Sequence, residues 1–456
     1  MQAERVDELG DLSREELIRI IRELRQQNER LRAEMERLKR KASAAPFSRG
    51  VRKKNPRPPG RKKGRGEFRR REAPAGAREQ AARVAVQESC CPFCGGPLGE
   101  SREELVSTTE MAPPSPLVQS FLVESRCCRQ CGKTVRGHHP AVAADQHGAT
   151  AHRLGGRAKA MMQTLHYGLQ IPQRKITQLM KELCGLEVTQ GTLCQEAQKQ
   201  AASGVVGAAY RQLRAGVQQA PLVHTDDTGW RIEGSTAQLM AFVTPSSTVY
   251  QVRHQHRHQE VCEMIGDQFA GVLICDRGKS YDADPLRDLP QQKCLAHLIR
   301  NARDLERQQW GRSRQFPRHL RLLLQQSVAL ASRRRELSAK RFQRQAAALE
   351  RKLTHHLRDR LLCNPDNQRL LNGIGAQHDR GQVLRFLRDP RLEATNNRAE
   401  RALRPAVIRR KVSQCSKSER GARTFEAYFS VLQTLKRQSP VSLSQALFDL
   451  LRSPPT

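Results

Sequence analysis

Apolar positions near the start of the chain recur every seven residues, with a second set three residues before the later ones. The positions are Leu17, Leu24, Leu31 and Leu38, with Ile21, Asn28 and Met35. This a/d seam predicts a coiled coil that pairs two copies of the chain. Asn28 at an a position would fix the register of such a pair. A single amphipathic helix packed on its own protein is the alternative.

The next segment has no apolar pattern. Residues 39–78 carry sixteen Lys and Arg against two Glu, with frequent Pro and Gly, and cannot build a core. The segment is predicted to be a disordered arm that contacts DNA phosphates, with a solvated linker as the alternative. The candidate phosphate contacts are Lys53, Lys54, Arg61, Lys62 and Lys63.

Helical periodicity follows, from about Leu154 to Leu213. Within it, Gly185 predicts a turn and Thr189 the N-cap of a second helix, which resembles a helix-turn-helix. Any two packed helices would give the same pattern, so DNA reading by this unit is one of two interpretations.

Strand patterns begin at Pro221, as short apolar or alternating runs separated by turn residues. The runs are PLVHTDD, QLMAFVT, TVYQVRH and GVLICDR. The segment HQHRH at 254–258 is predicted to place three histidines on one solvated or phosphate-facing side of a strand. Helical spacing returns after Cys294, and no Gly or Pro interrupts the chain between Pro317 and Pro365.

Charge and composition narrow the function classes. The formal net charge of +34 indicates a polyanionic partner, for which nucleic acid is the first candidate. Only 4% of residues are aromatic, which disfavours rows of base-stacking rings and favours phosphate contacts. The sequence has neither a secretory signal nor a long apolar run, so a cytoplasmic, nucleoid-associated protein with no membrane partner is expected.

The thirteen cysteines suggest metal binding or buried thiols before disulfides. Two C-x-x-C pairs, each followed by Gly, predict one tetrahedral structural Zn²⁺ held by Cys91, Cys94, Cys128 and Cys131. Cys90 and Cys127 precede the two pairs, so the register is open by one residue. Reduced, metal-free cysteines are the alternative.

Two acids follow predicted strands, where a rigid backbone can hold a carboxylate at the sheet edge. Asp226 follows LVHT and Asp276 follows GVLIC. Mg²⁺ takes oxygen ligands of this kind, and two such ions can drive phosphoryl transfer. Turn acids without any metal are the alternative. Glu400 in ATNNRAERALRP is either a third ligand or the N3 residue of a capping box begun by Asn397.

Four ordered motifs carry a resemblance. They are VHTDDTGWRI, GVLICDRGKSYD, CLAHLIRNARDL and TNNRAERALRPAVIRRK. Together they resemble the transposase family of insertion sequence sixty-six, which are bacterial DDE transposases, over most of the chain. Two positions depart from the family pattern: Thr395 stands where Asp is common before the Asn pair, and Asp227 stands where Glu is common. These leave open whether this copy is active.

The resemblance implies an α/β multidomain protein with an RNase H-like mixed-sheet core and a helical insertion. It implies Asp226, Asp276 and Glu400 as catalytic acids for two Mg²⁺, with Tyr281 matching a family Tyr. Cys294 and His297 match a Cys-x-x-His element, a structural brace or DNA contact. Basic residues beside Glu400 are candidate DNA contacts: Arg404, Arg409, Arg410 and Lys411.

The expected activity is cleavage and strand transfer at the ends of an insertion element. The partners expected are terminal inverted repeats and target DNA, a homodimer or higher oligomer, and accessory proteins of the same element. A non-catalytic DNA-binding protein and an RNase H-like nuclease without strand transfer are the alternatives. The predicted segments are coiled coil 1–41, basic arm 42–85, zinc domain 86–140, helical DNA-binding region 141–215, first core part 216–290, helical insertion 291–390, final core helix 391–415 and C-terminal helices 416–456.

Overall fold

The computed structural model describes residues 13, 15, 18–24, 26–29, 31, 74–109, 114–139, 141–142, 146–148, 151–358, 361–438 and 442–452. The chain forms two compact units, Met1–Ala112 and Pro113–Thr456. The predicted phosphate contacts of the basic arm, Lys53, Lys54, Arg61, Lys62 and Lys63, lie outside the described residues.

In the first unit, residues 15, 18–24, 26–29 and 31 are helical. The apolar seam is exposed within the single chain: Ile21 is 49% exposed, Leu24 53% and Leu31 58%. Residues 74–109 form turns and segments without regular secondary structure. The described part of the predicted coiled coil is therefore helical, with its seam uncovered.

The second unit begins with a hairpin of β1 (Ser125–Cys127) and β2 (Thr134–Arg136), paired antiparallel. Four helices follow: α1 (Gly156–Gln163), α2 (Gln173–Cys184), α3 (Gln190–Ala202) and α4 (Val205–Gln218). Gly185 ends α2 in the left-handed region, with φ of 61°. The Thr189 side chain caps α3 by accepting the Thr192 N–H at 3.2 Å.

A mixed five-stranded sheet forms the centre of this unit. Its strands are β3 (Leu222–Ile232), β4 (Ser235–Val243), β5 (Thr248–Arg253), β6 (Val272–Cys275) and β7 (Gln291–Lys293). Their order is β5-β4-β3-β6-β7, with β3, β4 and β5 antiparallel and β3, β6 and β7 parallel. The four predicted strand runs are confirmed, and the fifth strand lies just inside the range predicted as helical insertion.

Alternating side chains send the strands' apolar residues to opposite faces of the sheet. On one face, Trp230 of β3 stacks on Phe425 at 5.0 Å between ring centroids. Phe425 belongs to α13 (Glu419–Gln438), which follows α12 (Asn397–Val412). On the other face, Val223 and Leu273 join the core formed with α5 (His258–Ile265).

Helices fill the chain between β7 and α12. They are α7 (Leu295–Gln308), α8 (Gln315–Ser332), α9 (Ala339–Leu357), α10 (Pro365–Asp379) and α11 (Arg385–Arg388), preceded between β6 and β7 by the single-turn α6 (Asp284–Arg287). Their apolar faces pack together and onto Leu222 and Ile274 of the sheet. The break between α8 and α9 needs no Gly or Pro, because the Ser338 side chain starts a new helix by accepting the Arg341 N–H.

The described chain ends with α14 (Leu443–Arg452), whose Leu447 is buried in the same core as α13. Among the described residues, no helix combines the length and apolar composition needed to cross a membrane.

Candidate active site

Asp226 lies within a strand, not after one. The sequence predicts that the strand ends before this residue, but β3 continues to Ile232 because β4 pairs with it from His224 to Ile232. The parallel partner β6 pairs only with Leu222–His224. Asp226 therefore lies just beyond the end of the parallel pairing, at a point where β6 no longer pairs with β3.

Asp276 lies beside that position. The β3–β6 register pairs Leu222 with Val272 and His224 with Ile274, a constant offset of 50 residues. Continued past the end of β6 at Cys275, the same offset would set Asp276 level with Asp226. The Asp276 carboxylate also accepts the Gly278 N–H at 2.8 Å, which orients it at the start of the following turn.

The electrostatics agree with this proximity. Burial raises the pKa of Asp226 to about 7, and the negative charges of Asp276 and Asp227 add to the effect. The Asp227 backbone amide and the His297 side chain oppose it. A partly buried carboxylate whose pKa is raised by burial and by neighbouring negative charge is stabilised in the ionised form by a cation, and oxygen ligands suit Mg²⁺. The residues present therefore fit a divalent metal.

Asn396 ties the start of α12 to the strand that carries Asp226. Its side chain is fully buried, donates to the Thr225 carbonyl at 2.6 Å and lies 3.3 Å from His224 Nδ1. Burial lowers the pKa of His224 to about 4, so this imidazole is neutral near pH 7. The amide thus fixes the first turn of α12, and Glu400 with it, against β3.

The capping-box interpretation of Glu400 is wrong. The N-cap of α12 is Asn396, which makes no side-chain capping hydrogen bond, and the Glu400 N–H bonds to the Asn396 carbonyl at 3.2 Å. Glu400 is therefore the fourth helical residue, one position beyond the N3 residue of a capping box. Asn397, the N-cap in that interpretation, is the first helical residue. The Glu400 side chain is one-third exposed and lies next to His297.

Cys294 and His297 lie between these elements. Cys294 directly precedes α7, is fully buried, and its Sγ accepts the Asn396 N–H at 3.2 Å. His297 Nε2 lies 3.9 Å from Glu400 Oε1. A hydrogen bond with Cys294 raises the pKa of His297, and burial opposes this. Burial alone would raise the pKa of the Cys294 thiol, but hydrogen bonds from His297 and Asn396 lower it.

His297 lies beside Glu400, and its charge lowers the pKa of Asp226. The sequence model of the transposase family IS66 matches residues 153–424, a range that includes all three acids. The chain belongs to the IS66 transposase family. No curated protein matches the chain.

Membership confirms the resemblance found in the sequence and supports a transposase function. A transposase acts on DNA, so the membership also implies DNA binding and agrees with the net charge of +34. The alternative of a non-catalytic DNA-binding protein is not favoured by it. The family name also refers to the DDE class, in which two Asp and one Glu are the expected acids.

The structure of this transposase adds His256, which the sequence interpretation missed. The strand predicted at 254–258 is wrong, because β5 ends at Arg253 and α5 starts at His258. His256 Nδ1 lies 3.0 Å from Asp227 Oδ1, and its ring meets the Tyr281 ring edge-on at 5.4 Å. Burial opposes protonation, yet the Asp227 carboxylate raises the pKa of His256. The only feature of the sequence that could have pointed to His256 is the alternation of histidines at 254, 256 and 258.

Tyr281, which matches a family Tyr, is fully buried, and its hydroxyl lies 3.2 Å from Thr225 Oγ1. Lys293, which no sequence signal singled out, is also fully buried and lies 3.0 Å from Asp282. Both residues hold the loop after β6, which carries Asp276, against the sheet. Neither residue forms a hydrogen bond or an ion pair with Asp226, Asp276 or Glu400, so both support the candidate site indirectly.

The basic residues of α12 do not form one surface. Arg404 and Lys411 are exposed, and Arg410 is half-buried and donates to Thr228 Oγ1 at 3.3 Å. Arg409 is buried, with its guanidinium 4.8 Å from the Phe425 ring centroid and 3.1 Å from His166 Nε2. The prediction of a phosphate contact for Arg409 is corrected on this ground, because its side chain faces the core instead of solvent.

The two C-x-x-C pairs form turns of the same kind. The Cys91 N–H donates to the Gly96 carbonyl at 2.9 Å, and the Cys128 N–H donates to the Lys133 carbonyl at 2.8 Å. Backbone N–H groups of Phe93 and Cys94 lower the pKa of the Cys91 thiol. Those of Cys131 and Gln130 lower the pKa of Cys128 in the same way. Amides directed at sulfur are what a zinc-bound thiolate needs.

We expect Asp226→Asn to raise the melting temperature of the metal-free transposase by several degrees near pH 8, and by less near pH 5. Because the folded-state pKa of about 7 exceeds the ordinary Asp value of 3.8, the protonated form favours folding. That contribution is full below the unfolded pKa and lost as the pH rises through about 7. Thermal unfolding at the two pH values measures the difference.

The exposed acid Asp267 supplies the control, since Asp267→Asn should change the melting temperature equally little at both pH values. Mg²⁺ near pH 8 should stabilise the wild type more than the Asp226→Asn variant, because it neutralises an ionised carboxylate. An equal shift for Asp226→Asn at both pH values would contradict the assigned burial.

Proposed function

We propose that this IS66-family protein cleaves DNA at the ends of an insertion element and joins the freed ends to target DNA by two-metal phosphoryl transfer. Asp226, Asp276 and Glu400 would hold two Mg²⁺. Bound there, the ions would activate water and then the 3′-OH, and would stabilise the leaving oxygen. The observation that supports this proposal best is the β3–β6 register, which ends next to Asp226 and Asp276, together with the anchoring of the Glu400 helix to β3 through Asn396.

The strand order supports an RNase H-like assignment for the core. The sheet has three antiparallel strands followed along the chain by two parallel ones, and its order β5-β4-β3-β6-β7 places β3 and β6 side by side. An acid on β3 and an acid directly after β6 can then meet at one edge of the sheet. The helices α7–α11 between β7 and α12 would be the insertion that separates Glu400 from Asp276 in sequence.

The chain's own residues would position and shield the reaction. The Asn396 amide fixes the orientation of α12, and the Cys294 thiol holds the Asn396 N–H, so these two residues act as a brace. His256, oriented by Asp227, would supply positive charge near the acids. Arg404, Arg410 and Lys411 would contact the DNA backbone beside Glu400, since none of them is buried.

Other parts would recognise the DNA and assemble the complex. The exposed Ile21, Leu24 and Leu31 seam would pair two subunits, which brings two element ends together. The basic arm and the pair α2–α3 would bind terminal inverted repeats at the nucleoid. Accessory proteins of the same element would join this assembly.

Zinc would stabilise the cysteine turns through Cys91, Cys94, Cys128 and Cys131. We expect Cys128→Ser to lower the zinc content of the purified protein by about one equivalent relative to the wild type, whereas Cys127→Ser keeps it. The neighbouring amides lower the pKa of the Cys128 thiol, but the Cys127 thiol donates to the Gly132 carbonyl at 3.2 Å. Metal analysis by mass spectrometry measures this. Equal zinc loss in both variants would contradict the assigned register.

The test of the function is an end-processing reaction with the full chain. Labelled DNA carrying the terminal inverted repeats is incubated with Mg²⁺ or with a chelator, together with a target plasmid. Cleavage at the repeat end and transfer of label to the plasmid, both dependent on Mg²⁺, are expected. Cleavage without joining would assign a nuclease. Salt-sensitive binding without cleavage under any divalent metal would reject catalysis.

A further inference from the structure

Three different ligand types converge next to the catalytic acids. Cys294 Sγ, one ring nitrogen of His297 and one carboxylate oxygen of Glu400 all lie within 4.8 Å of one another. Among the residues that the structure describes, no other group of three His, Cys, Asp or Glu side chains meets this criterion. The convergence is built by two separate elements, α7 and the first turn of α12.

The chemistry of this set differs from that of the Asp226–Asp276 pair. Mg²⁺ takes oxygen ligands, whereas thiolate and imidazole ligands together select Zn²⁺ and related borderline metals. Ligand atoms at about 2.0–2.2 Å from a tetrahedral Zn²⁺ are separated by roughly 3.4 Å. His297 Nε2 and Glu400 Oε1 are 3.9 Å apart, so a small rotation of the partly exposed Glu400 side chain would close the gap.

Two further observations prepare the site for a metal. Cys294 Sγ is fully buried and accepts the Asn396 N–H, the same amide-to-sulfur contact found in the C-x-x-C turns. His297 Nδ1 is buried and, within the described part of the chain, has no hydrogen-bond partner. A buried ring nitrogen without a partner is costly, and a cation bound at Nδ1 would offset that cost directly, whereas a cation bound at Nε2 would fix the tautomer with its proton on Nδ1.

We propose that Cys294, His297 and Glu400 bind one thiophilic divalent cation of the Zn²⁺ class, and that this cation withdraws Glu400 from the Asp226–Asp276 pair. Glu400 would then serve either site but not both. The binding half of the proposal stands on the ligand geometry alone. The competition half rests on the proposed function, in which Glu400 is a ligand of catalytic Mg²⁺. A thiophilic metal would thus inhibit the Mg²⁺ reaction.

The binding half is tested with Co²⁺ as the spectroscopic probe, added to full-length protein that has been loaded with one equivalent of Zn²⁺, which fills the cysteine turns. Thiolate ligation of Co²⁺ gives a near-ultraviolet charge-transfer band, and tetrahedral coordination gives intense visible bands. We expect one added equivalent to produce both. Cys294→Ser should abolish the charge-transfer band. Glu400→Gln should keep the band and weaken Co²⁺ binding about 100-fold, since even outer-shell partners of a metal contribute about 10–100-fold.

Cys363→Ser is the matched control, because Cys363 is an exposed thiol whose loss should leave the band unchanged. Glu400→Gln keeps the proposal testable if Cys294→Ser folds poorly, since Glu400 lies at the surface of α12. A band that persists in Cys294→Ser, or a wild-type protein that shows no band, would overturn the proposal.

Inhibition of DNA-end cleavage separates the two halves. In excess Mg²⁺, stoichiometric Zn²⁺ should inhibit the wild type at least tenfold relative to its own zinc-free rate. Cleavage by Cys294→Ser, also measured relative to its own zinc-free rate, should resist. A cobalt band in a protein that does not cleave DNA would support the metal site and reject the proposed function. Cleavage that Zn²⁺ inhibits equally in wild type and Cys294→Ser would reject the competition while leaving the function intact.

Discussion

Replacing Glu400 with Gln is expected to lower Mg²⁺-dependent cleavage of element ends about 1000-fold. Loss of one carboxylate ligand removes charge stabilisation of several kcal/mol from a two-metal transition state, and about 4 kcal/mol corresponds to that factor. Gln keeps the size and helix propensity of Glu, so α12 should remain intact. Initial cleavage rates on labelled repeat ends, with circular dichroism as a fold check, measure the effect.

Glu393→Gln is the matched control for this variant. Glu393 lies seven residues earlier in the same segment and pairs with Arg398 at 2.6 Å, outside the group of acids. A partly exposed ion pair contributes little, so cleavage should change less than about threefold. Equal rates for Glu400→Gln and the wild type would remove Glu400 from the site. Equal losses in the two variants would indicate a general defect of the segment.

Replacing Asn396 with Ala should both destabilise the core and impair cleavage. The change removes the donor to the buried Thr225 carbonyl and the partner of His224, and each buried polar group left unpaired costs about 1–3 kcal/mol. The first turn of α12 would also lose its link to the strand of Asp226. Urea unfolding followed by Trp230 fluorescence, together with the cleavage rate of the folded fraction, measures both effects.

Asn397→Ala separates the role of the amide from helix propensity. Asn397 is the next residue along, lies within α12 and is not fully buried, so its loss should change the stability of the core by less than about 0.5 kcal/mol. If Asn396→Ala and Asn397→Ala unfold at the same urea concentration, the buried amide does not anchor α12. Retained cleavage in folded Asn396→Ala would separate anchoring from catalysis.

Local sequence patterns predicted the elements correctly where interactions between residues close in sequence determine the structure. Alternating and apolar runs located four strands, Gly185 ended α2 in the left-handed conformation, and Thr189 capped α3. The errors occurred where contacts between segments distant in sequence determine the structure. β3 extends through Asp226 because β4 pairs along its length, and a hairpin partner of this kind leaves no mark on the residues around Asp226.

The same limit explains the errors at Glu400 and Arg409. Asn-x-x-Glu is a valid capping signal, but a buried Asn396 bonded to β3 moved the helix start by one residue. Arg409 has the sequence context of a surface cation, yet stacking on Phe425 and contact with His166 bury it. His256 was interpreted as solvated because its partner Asp227 lies 29 positions earlier.

The sequence by itself determined the charge, the heptad seam, the cysteine pairs and the family, because these depend on composition and on short or ordered motifs. Through the family resemblance, it also identified Asp226, Asp276 and Glu400 as the candidate acids. Only the tertiary structure paired β6 with β3, which brings Asp276 near Asp226, and placed His297 3.9 Å from Glu400. Together with the Asn396–Thr225 contact, those relations join residues up to 171 positions apart, and they arise from strand register and the buried Asn396 amide, which no local pattern encodes.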